Sequence, residues 1–293
     1  MVIPEISAKV DCVWAARAVL GECPVWDAQD RLLYWLDIKS SQLLAFEPST
    51  GAKQSWHLPF QVGSIARPPL DWRLPEDLDG RVFVAGTQKG FAWIAVGVST
   101  VQARVIGDPE ALLPGNRFND GKFGPDGRYY AGTMDDAEEK ACGALYALNR
   151  DGAVAKLDDG YMVTNGPAFS PCGKLVYHSD SARQVIYRFS LNSDGSLDEK
   201  SVFCRFGPKE GFPVGMTVDS KGNLWVAMWD GWRIERIAPD GRRTGVIQCA
   251  VPRMTSCTFA EDGVLYATSA ATGTVSEAPF AGGLFRSVLE HHE

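Results

Sequence analysis

Short runs in which aromatic or β-branched residues alternate with small or polar ones recur along the chain, each entered through a polar turn. DAQDRLLYWLDI, GPDGRYYAGTM, SPCGKLVYHSD, DSKGNLWVAMW and AEDGVLYATSA share this form. Such alternation is the period of a strand that packs one face on a core. Asp-Gly, Cys-Gly and Lys-Gly pairs suit tight hairpins because glycine accepts a positive φ. A second strand follows each run, in SQLLAFEP, GALYALN, QVIYRFS, RIERIAP and GGLFRSV, and RVFVAGTQKGFAWIAV makes a sixth hairpin. The later turns recur about every 45 residues, the scale of a four-stranded propeller blade. Helical periodicity of useful length is absent.

The pattern predicts an all-β fold, a six-bladed β-propeller that takes residues 1–293 as one domain. After GGLFRSV only LEHHE remains, so the last blade lacks its outermost strand. KVDCVWAARAV, ahead of the first blade, is expected to supply that strand and close the ring, which removes exposed sheet edges. RPPLDWRLPEDLDG is Pro-rich and acidic, and reads as a loop inside the second blade rather than as a linker.

Composition narrows the partners. A chain of 293 residues with 45% hydrophobic and 22% charged residues has the make-up of a globular protein with a sizeable core. A net charge of -7 argues against nucleic acid, whose phosphates call for a basic surface. MVIPEISAKVDCVW has no basic start followed by an apolar run, so no signal peptide is read there. No apolar run approaches the ~18 residues of a membrane span, which excludes a membrane partner of that kind. Seven cysteines without a C-x-x-C pair suit the reduced thiols of a cytoplasmic protein. Cys23, Cys172 and Cys257 read as small buried hydrophobes rather than zinc ligands.

Four loops of similar form lead into the strands that would line the central channel. LGECPVW carries Glu22, RFNDGKF carries Asn119 and Asp120, and VTNGPAF carries Asn165, while GFPVGMTVD places Val214 at the matching position. In a propeller these positions converge on one face, rimmed by the turns TMDDAEE, HSDSARQ and WDGWR. One carboxylate and one or two amide oxygens suit a hard divalent ion such as Ca²⁺, Mg²⁺, Mn²⁺ or Fe²⁺. Simpler roles stand beside these: Asn and Asp cap turns, and Arg117 reads equally as a surface charge. His178 reads as a half-buried imidazole with its hydrogen bonds made, and Trp225, Trp229 and Trp232 read as blade packing.

LGECPVWDAQDRLLYWLDI, NRFNDGKFGPDGRYYAGTM, TNGPAFSPCGKLVYHSDS, GMTVDSKGNLWVAMWDGWRIERIAPDG and the closing GGLF together resemble the senescence marker protein/gluconolactonase family, which includes regucalcin, sugar-acid lactonases and luciferin-regenerating enzyme. The resemblance implies a propeller with one divalent metal ion (Ca, Zn, Mn, Mg or Fe(II)) at the channel mouth and hydrolysis of a small-molecule sugar lactone, by a monomer or weak homodimer. It implies that Glu22 and Asn165 are metal ligands and that Arg117 and Asn119 hold the lactone's oxygens. The family's third ligand and base is the Asp of a P-D-G-M motif, which here reads P-V-G-M with Val214. Asp219 lies too far along the strand to substitute, and Asp230 of WDGWR is the candidate for the base. Two alternatives compete with the lactonase: a propeller that keeps metal or sugar-like ligand binding after losing turnover through Val214, and a propeller hydrolase of other esters or phosphotriesters. The sequence has no G-x-S-x-G motif that would suggest an acyl-enzyme.

Overall fold

The computed structural model describes residues 3–260, 263–273 and 278–289; the tail from 290 onward lies outside them. Six four-stranded antiparallel sheets follow one another around a ring. The blades occupy residues 21–57, 62–107, 116–161, 164–205, 212–248 and 254–289, and in the first five the strands run from the channel outward in chain order. The sixth is completed from the other end of the chain. Ala8–Trp14 pairs antiparallel with Leu284–Leu289, as the sequence predicts. Just before it, the Ile6 N–H donates to the Val246 carbonyl (2.7 Å) and the Val246 N–H to the Pro4 carbonyl (3.0 Å). The N-terminal segment thereby fastens the outer edge of blade 5 as well as blade 6. No helix is long and apolar enough to cross a membrane.

The repeated turns share one geometry. In blade 3 the Gly124 N–H bonds the Arg128 carbonyl (2.8 Å) and the Gly127 N–H the Gly124 carbonyl (3.1 Å), with Gly127 at φ 78°. Asp219 to Asn223 in blade 5 repeats the arrangement, with Gly222 at φ 86°. This left-handed region excludes most side chains, so glycine closes the turn.

Most of the core lies between blades rather than within them. Tyr34, Leu36, Phe83 and Ile94 fill the seam of blades 1 and 2, and Phe91, Phe118, Tyr129 and Tyr146 that of blades 2 and 3. The seam between blades 3 and 4 is more polar. The Thr164 hydroxyl donates to the Thr133 carbonyl (2.9 Å), and His178 stands edge-on to Tyr161 with ring centroids 4.9 Å apart. A Cβ at Gly132 would come within 2.6 Å of Thr164 and 3.1 Å of His178, so this approach of the blades requires glycine.

His178 departs from the sequence expectation. It is fully buried, and among the described residues neither ring nitrogen has a hydrogen-bond partner. Cys172 also departs, being exposed where Cys23 and Cys257 are buried; all seven cysteines are free. Burial pushes the His178 imidazole down to a pKa of about 3. The unfolded chain, in which histidine titrates near ~6.5, binds a proton that the fold refuses. Stability should therefore fall as pH drops from about 6.5 toward 3, by about 1.4 kcal/mol per pH unit from this residue. Urea unfolding between pH 6 and pH 4 is expected to show a shallower loss for His178→Leu than for the wild type. Identical slopes would mean that the imidazole is not held neutral.

Candidate active site

The inner strands place the predicted residues through irregularities in their pairing. Register slips between Glu22 and Val25 in blade 1, Phe118 and Gly121 in blade 3, Asn165 and Ala168 in blade 4, and Pro213 and Met216 in blade 5. Bulges of this kind bend a strand and re-aim its side chains, and they are common beside active sites. The sequence suggests loops leading into strands, whereas the functional positions lie within the first residues of the strands, at or beside the bulges. At the first bulge Cys23 holds φ 48°, a left-handed conformation uncommon for a residue other than glycine. Gly63 of blade 2 makes room for the second, since a Cβ there would lie 2.3 Å from the carbonyl oxygens of Phe118 and Asn119.

Glu22, Arg117, Asn119, Asn165 and Val214 line one cavity of about 620 Å³. A chain of hydrogen bonds crosses its wall. Arg117 is ion-paired to Asp136, which also binds the Lys39 ammonium at 2.6 Å. The Arg117 Nη1 donates to Asn119 Oδ1 (2.7 Å), and Asn119 Nδ2 donates to Asn165 Oδ1 (3.1 Å) and to the Thr164 carbonyl (2.7 Å). Asn165 Nδ2 donates to the Ser181 hydroxyl (2.8 Å), which donates to the Pro213 carbonyl (2.6 Å). The chain ends one residue before Val214. Ser181, Lys39 and Glu138 also line the cavity and were not singled out in the sequence. Ser181 stands at the HSDS turn and Glu138 in the TMDDAEE turn, so the rim turns were the available signal.

Glu22 is buried, and among the described residues its one hydrogen bond comes from the Cys23 N–H (3.2 Å). Burial, then the negative charge of Asp120, hold its carboxyl well above the usual range, against the weaker pull of the Cys23 amide and Arg117. Asp120 is not among the lining residues and accepts from the Gly166 and Gly121 amides (2.9 and 2.8 Å). Burial raises its pKa to about 6 despite Lys122 and these amides. Two buried carboxylates near one another, one of them with little hydrogen bonding, make this a place that favours a cation. Among the described residues no group of three or more His, Cys, Asp and Glu side chains is placed to hold a metal. The available protein donors are the Glu22 carboxylate and the Asn165 amide oxygen, a set that fits a hard divalent ion completed by water.

The other side of the cavity is apolar, with Val19, Leu20, Phe212, Val214 and Trp229 in its wall. Trp229, expected to serve blade packing, instead faces this space, whereas Trp225 is buried and Trp232 exposed. Asp230 is not part of the lining. Its carboxylate is paired with Arg253 (Nε to Oδ1 2.8 Å), and the Arg253 guanidinium lies 4.6 Å over the Trp229 ring. Asp219 sits in the turn beyond the inner strand and accepts from the Trp225 indole (2.9 Å).

Comparison with known proteins agrees with the fold. The profile of the SMP-30/Gluconolactonase/LRE-like region matches residues 20–271. Regucalcin of Gallus gallus is 32% identical over 96% of this chain and 94% of its own length. The 6-deoxy-6-sulfogluconolactonase of Pseudomonas putida is 30% identical with the same coverage, 96% and 94%. The crystal structure of the calcium-binding protein regucalcin from Agrobacterium tumefaciens superposes with a TM-score of 0.87 at 23% identity, covering 99% of this chain and 96% of that one. With these loops, this six-bladed architecture and a match along most of its length, the chain belongs to the SMP-30/gluconolactonase/LRE-like family.

Proposed function

We propose that this protein is a hydrolase of sugar-acid lactones that works with one divalent ion. The observation that carries the reading is the gathering of Glu22, Arg117, Asn119 and Asn165 at one cavity, in a chain 30% identical to a sulfogluconolactonase. Water adds to the lactone carbonyl, the bond from the acyl carbon to the ring oxygen breaks, and that oxygen leaves as a hydroxyl, giving the open acid. Glu22 and Asn165 would hold the ion. When bound, it supplies positive charge against the carbonyl oxygen and makes water more acidic. Arg117, already fixed by Asp136, presents its guanidinium to the substrate's oxygens, and Asn119, whose two N–H groups go to Thr164 and Asn165, presents Oδ1 to a substrate hydroxyl. Such prepositioning reduces the entropy lost on reaching a reactive geometry. Proton removal from the attacking water falls to a carboxylate of the cavity lining, Glu22 or Glu138, rather than to Asp230, which Arg253 holds outside it. The free cysteines suit a reducing compartment.

Val214 supports a second reading, a propeller that binds metal or a sugar-like ligand without efficient turnover. Three variants separate the readings and test the roles. Val214→Asp would add an anionic donor at the end of the polar wall. Loss of a supporting partner of a metal ligand typically costs 10–100-fold in affinity or activity. A direct carboxylate is therefore expected to tighten metal binding by at least that factor, about 1.4–2.7 kcal/mol, and to raise lactone turnover with it. Titration calorimetry and proton-release assays on wild type and variant check both, and a rise in affinity without turnover favours the binder.

Glu22→Gln keeps the shape and removes the charge. Divalent-ion protection against thermal unfolding is expected to shrink, and an unchanged metal-dependent shift in melting temperature would remove Glu22 from the ion's shell. A general base contributes about 10²–10⁴ in rate. Asp230→Asn is expected to leave kcat within about threefold of wild type, well short of that range. A fall of two orders of magnitude in that variant would return the base to Asp230.

A further inference from the structure

The two halves of the cavity differ in chemistry. Arg117 and Asn119 of blade 3 and Asn165 and Ser181 of blade 4 make one arc of the mouth polar. Phe212, Val214 and Trp229 of blade 5 make an apolar arc on the opposite side, which Val19 and Leu20 continue toward blade 1, where Glu22, Lys39 and Thr272 add polar groups. Among the described residues, Phe212, Val214 and Trp229 belong to none of the five hydrophobic clusters that fill the blade seams. Their apolar surface is presented to the cavity instead. The wall is also held in place: Arg253 covers the Trp229 ring at 4.6 Å and is itself fixed by the Asp230 carboxylate at 2.8 Å and by the Thr272 carbonyl.

A fully hydroxylated lactone would turn hydroxyls toward this arc, where they would lose water and gain no partner, which is unfavourable. The volume, about 620 Å³, lies within the ~300–1,000 Å³ of cavities that enclose drug-sized ligands. There is room for a substituent beyond the lactone ring.

Resting on the lactone-hydrolysis part of the lactonase reading and replacing its sugar-acid substrate, we propose that the preferred substrate is an amphipathic lactone. Its carbonyl and ring oxygens face the Arg117 guanidinium, and a hydrocarbon substituent lies against Phe212, Val214 and Trp229. Val214 is then the residue that moves the cavity away from polyhydroxylated lactones, since it replaces a carboxylate position with apolar surface at the point where the polar wall ends.

The test uses the whole protein with added divalent ion and a series of γ-lactones with chains from methyl to hexyl at the ring carbon, together with gluconolactone. Each methylene buried on the apolar arc should raise kcat/KM by about fourfold until the arc is covered, and gluconolactone should fall at least about tenfold below the best alkyl lactone. The matching γ-lactams, which are not hydrolysed, give Kd by calorimetry. Trp229→Ala and Phe212→Ser should each flatten the dependence on chain length, and either variant serves if the other fails to fold. Val214→Asp should shift the preference toward gluconolactone. A lactam Kd that does not change with chain length overturns the proposal whatever the turnover. Lactam binding that tightens with chain length while no lactone is hydrolysed sustains the amphipathic cavity and overturns the lactonase reading.

Discussion

The arrangement at the channel mouth depends on one antiparallel strand pair, Ala8–Trp14 with Leu284–Leu289. Glu22 comes from blade 1, Arg117 and Asn119 from blade 3 and Asn165 from blade 4, so no single sheet contains the site. The distances among these side chains are set by how closely the blades wedge together, and that is fixed only when the ring is shut. An unclosed blade 6 would expose a strand edge with unpaired N–H and C=O groups and let the neighbouring seams relax. The seams carry most of the apolar burial, from Tyr34 and Phe83 on one side to Met216 and Val226 on another. Closure, core and site are therefore one constraint seen at three radii.

Close packing at the centre also governs how the side chains reach the cavity. In blades 1, 3, 4 and 5 the register slip of the inner strand falls at or beside the residues that line the cavity. Glycine is needed where backbones meet, as at Gly63 against Phe118 and Asn119. The Glu22 carboxylate faces a cavity whose nearer buried neighbour, Asp120, is also acidic. The blade 5 wall supplies apolar surface, with the Arg253 guanidinium over its Trp229 ring. The Glu22 carboxylate and the blade 5 apolar stretch thus occupy different parts of the same opening.

Much of this was legible in the sequence because it is local and repeated. Turn residues such as Asp126-Gly127 and Lys221-Gly222 declare the hairpins, their spacing declares the blades, and the short remainder after GGLFRSV declares that the first strand must close the last blade. Glu22, Asn119, Asn165 and Val214 occupy equivalent places in that repeat, so their convergence could be read before any geometry was available. What escaped reading depends on contacts between distant segments. Asp230 has the right chemistry for a base, but it is paired with Arg253, at the entry to the next blade, and is not part of the cavity lining. The Arg253 of that same pair also lies over the Trp229 ring. His178 shares its strand pattern with many half-buried residues, and only the approach of Tyr161 and Gly132 from blade 3 shows that its imidazole has no partner.

The hydrogen bonds from Arg117 through Asn119, Asn165 and Ser181 to the Pro213 carbonyl all run in one sense, each group accepting from the one before and donating to the one after. Such a homodromic chain begins at a cation that can only donate and ends at a backbone oxygen that can only accept. Neither amide can turn over alone without placing two donors or two acceptors face to face. The chain therefore behaves as a single polarised element, in which each bond strengthens the next. Ser181 is coupled in this way to Arg117 across two blades, and substitutions along the line are bound to be epistatic, their joint effects departing from the sum of the single ones.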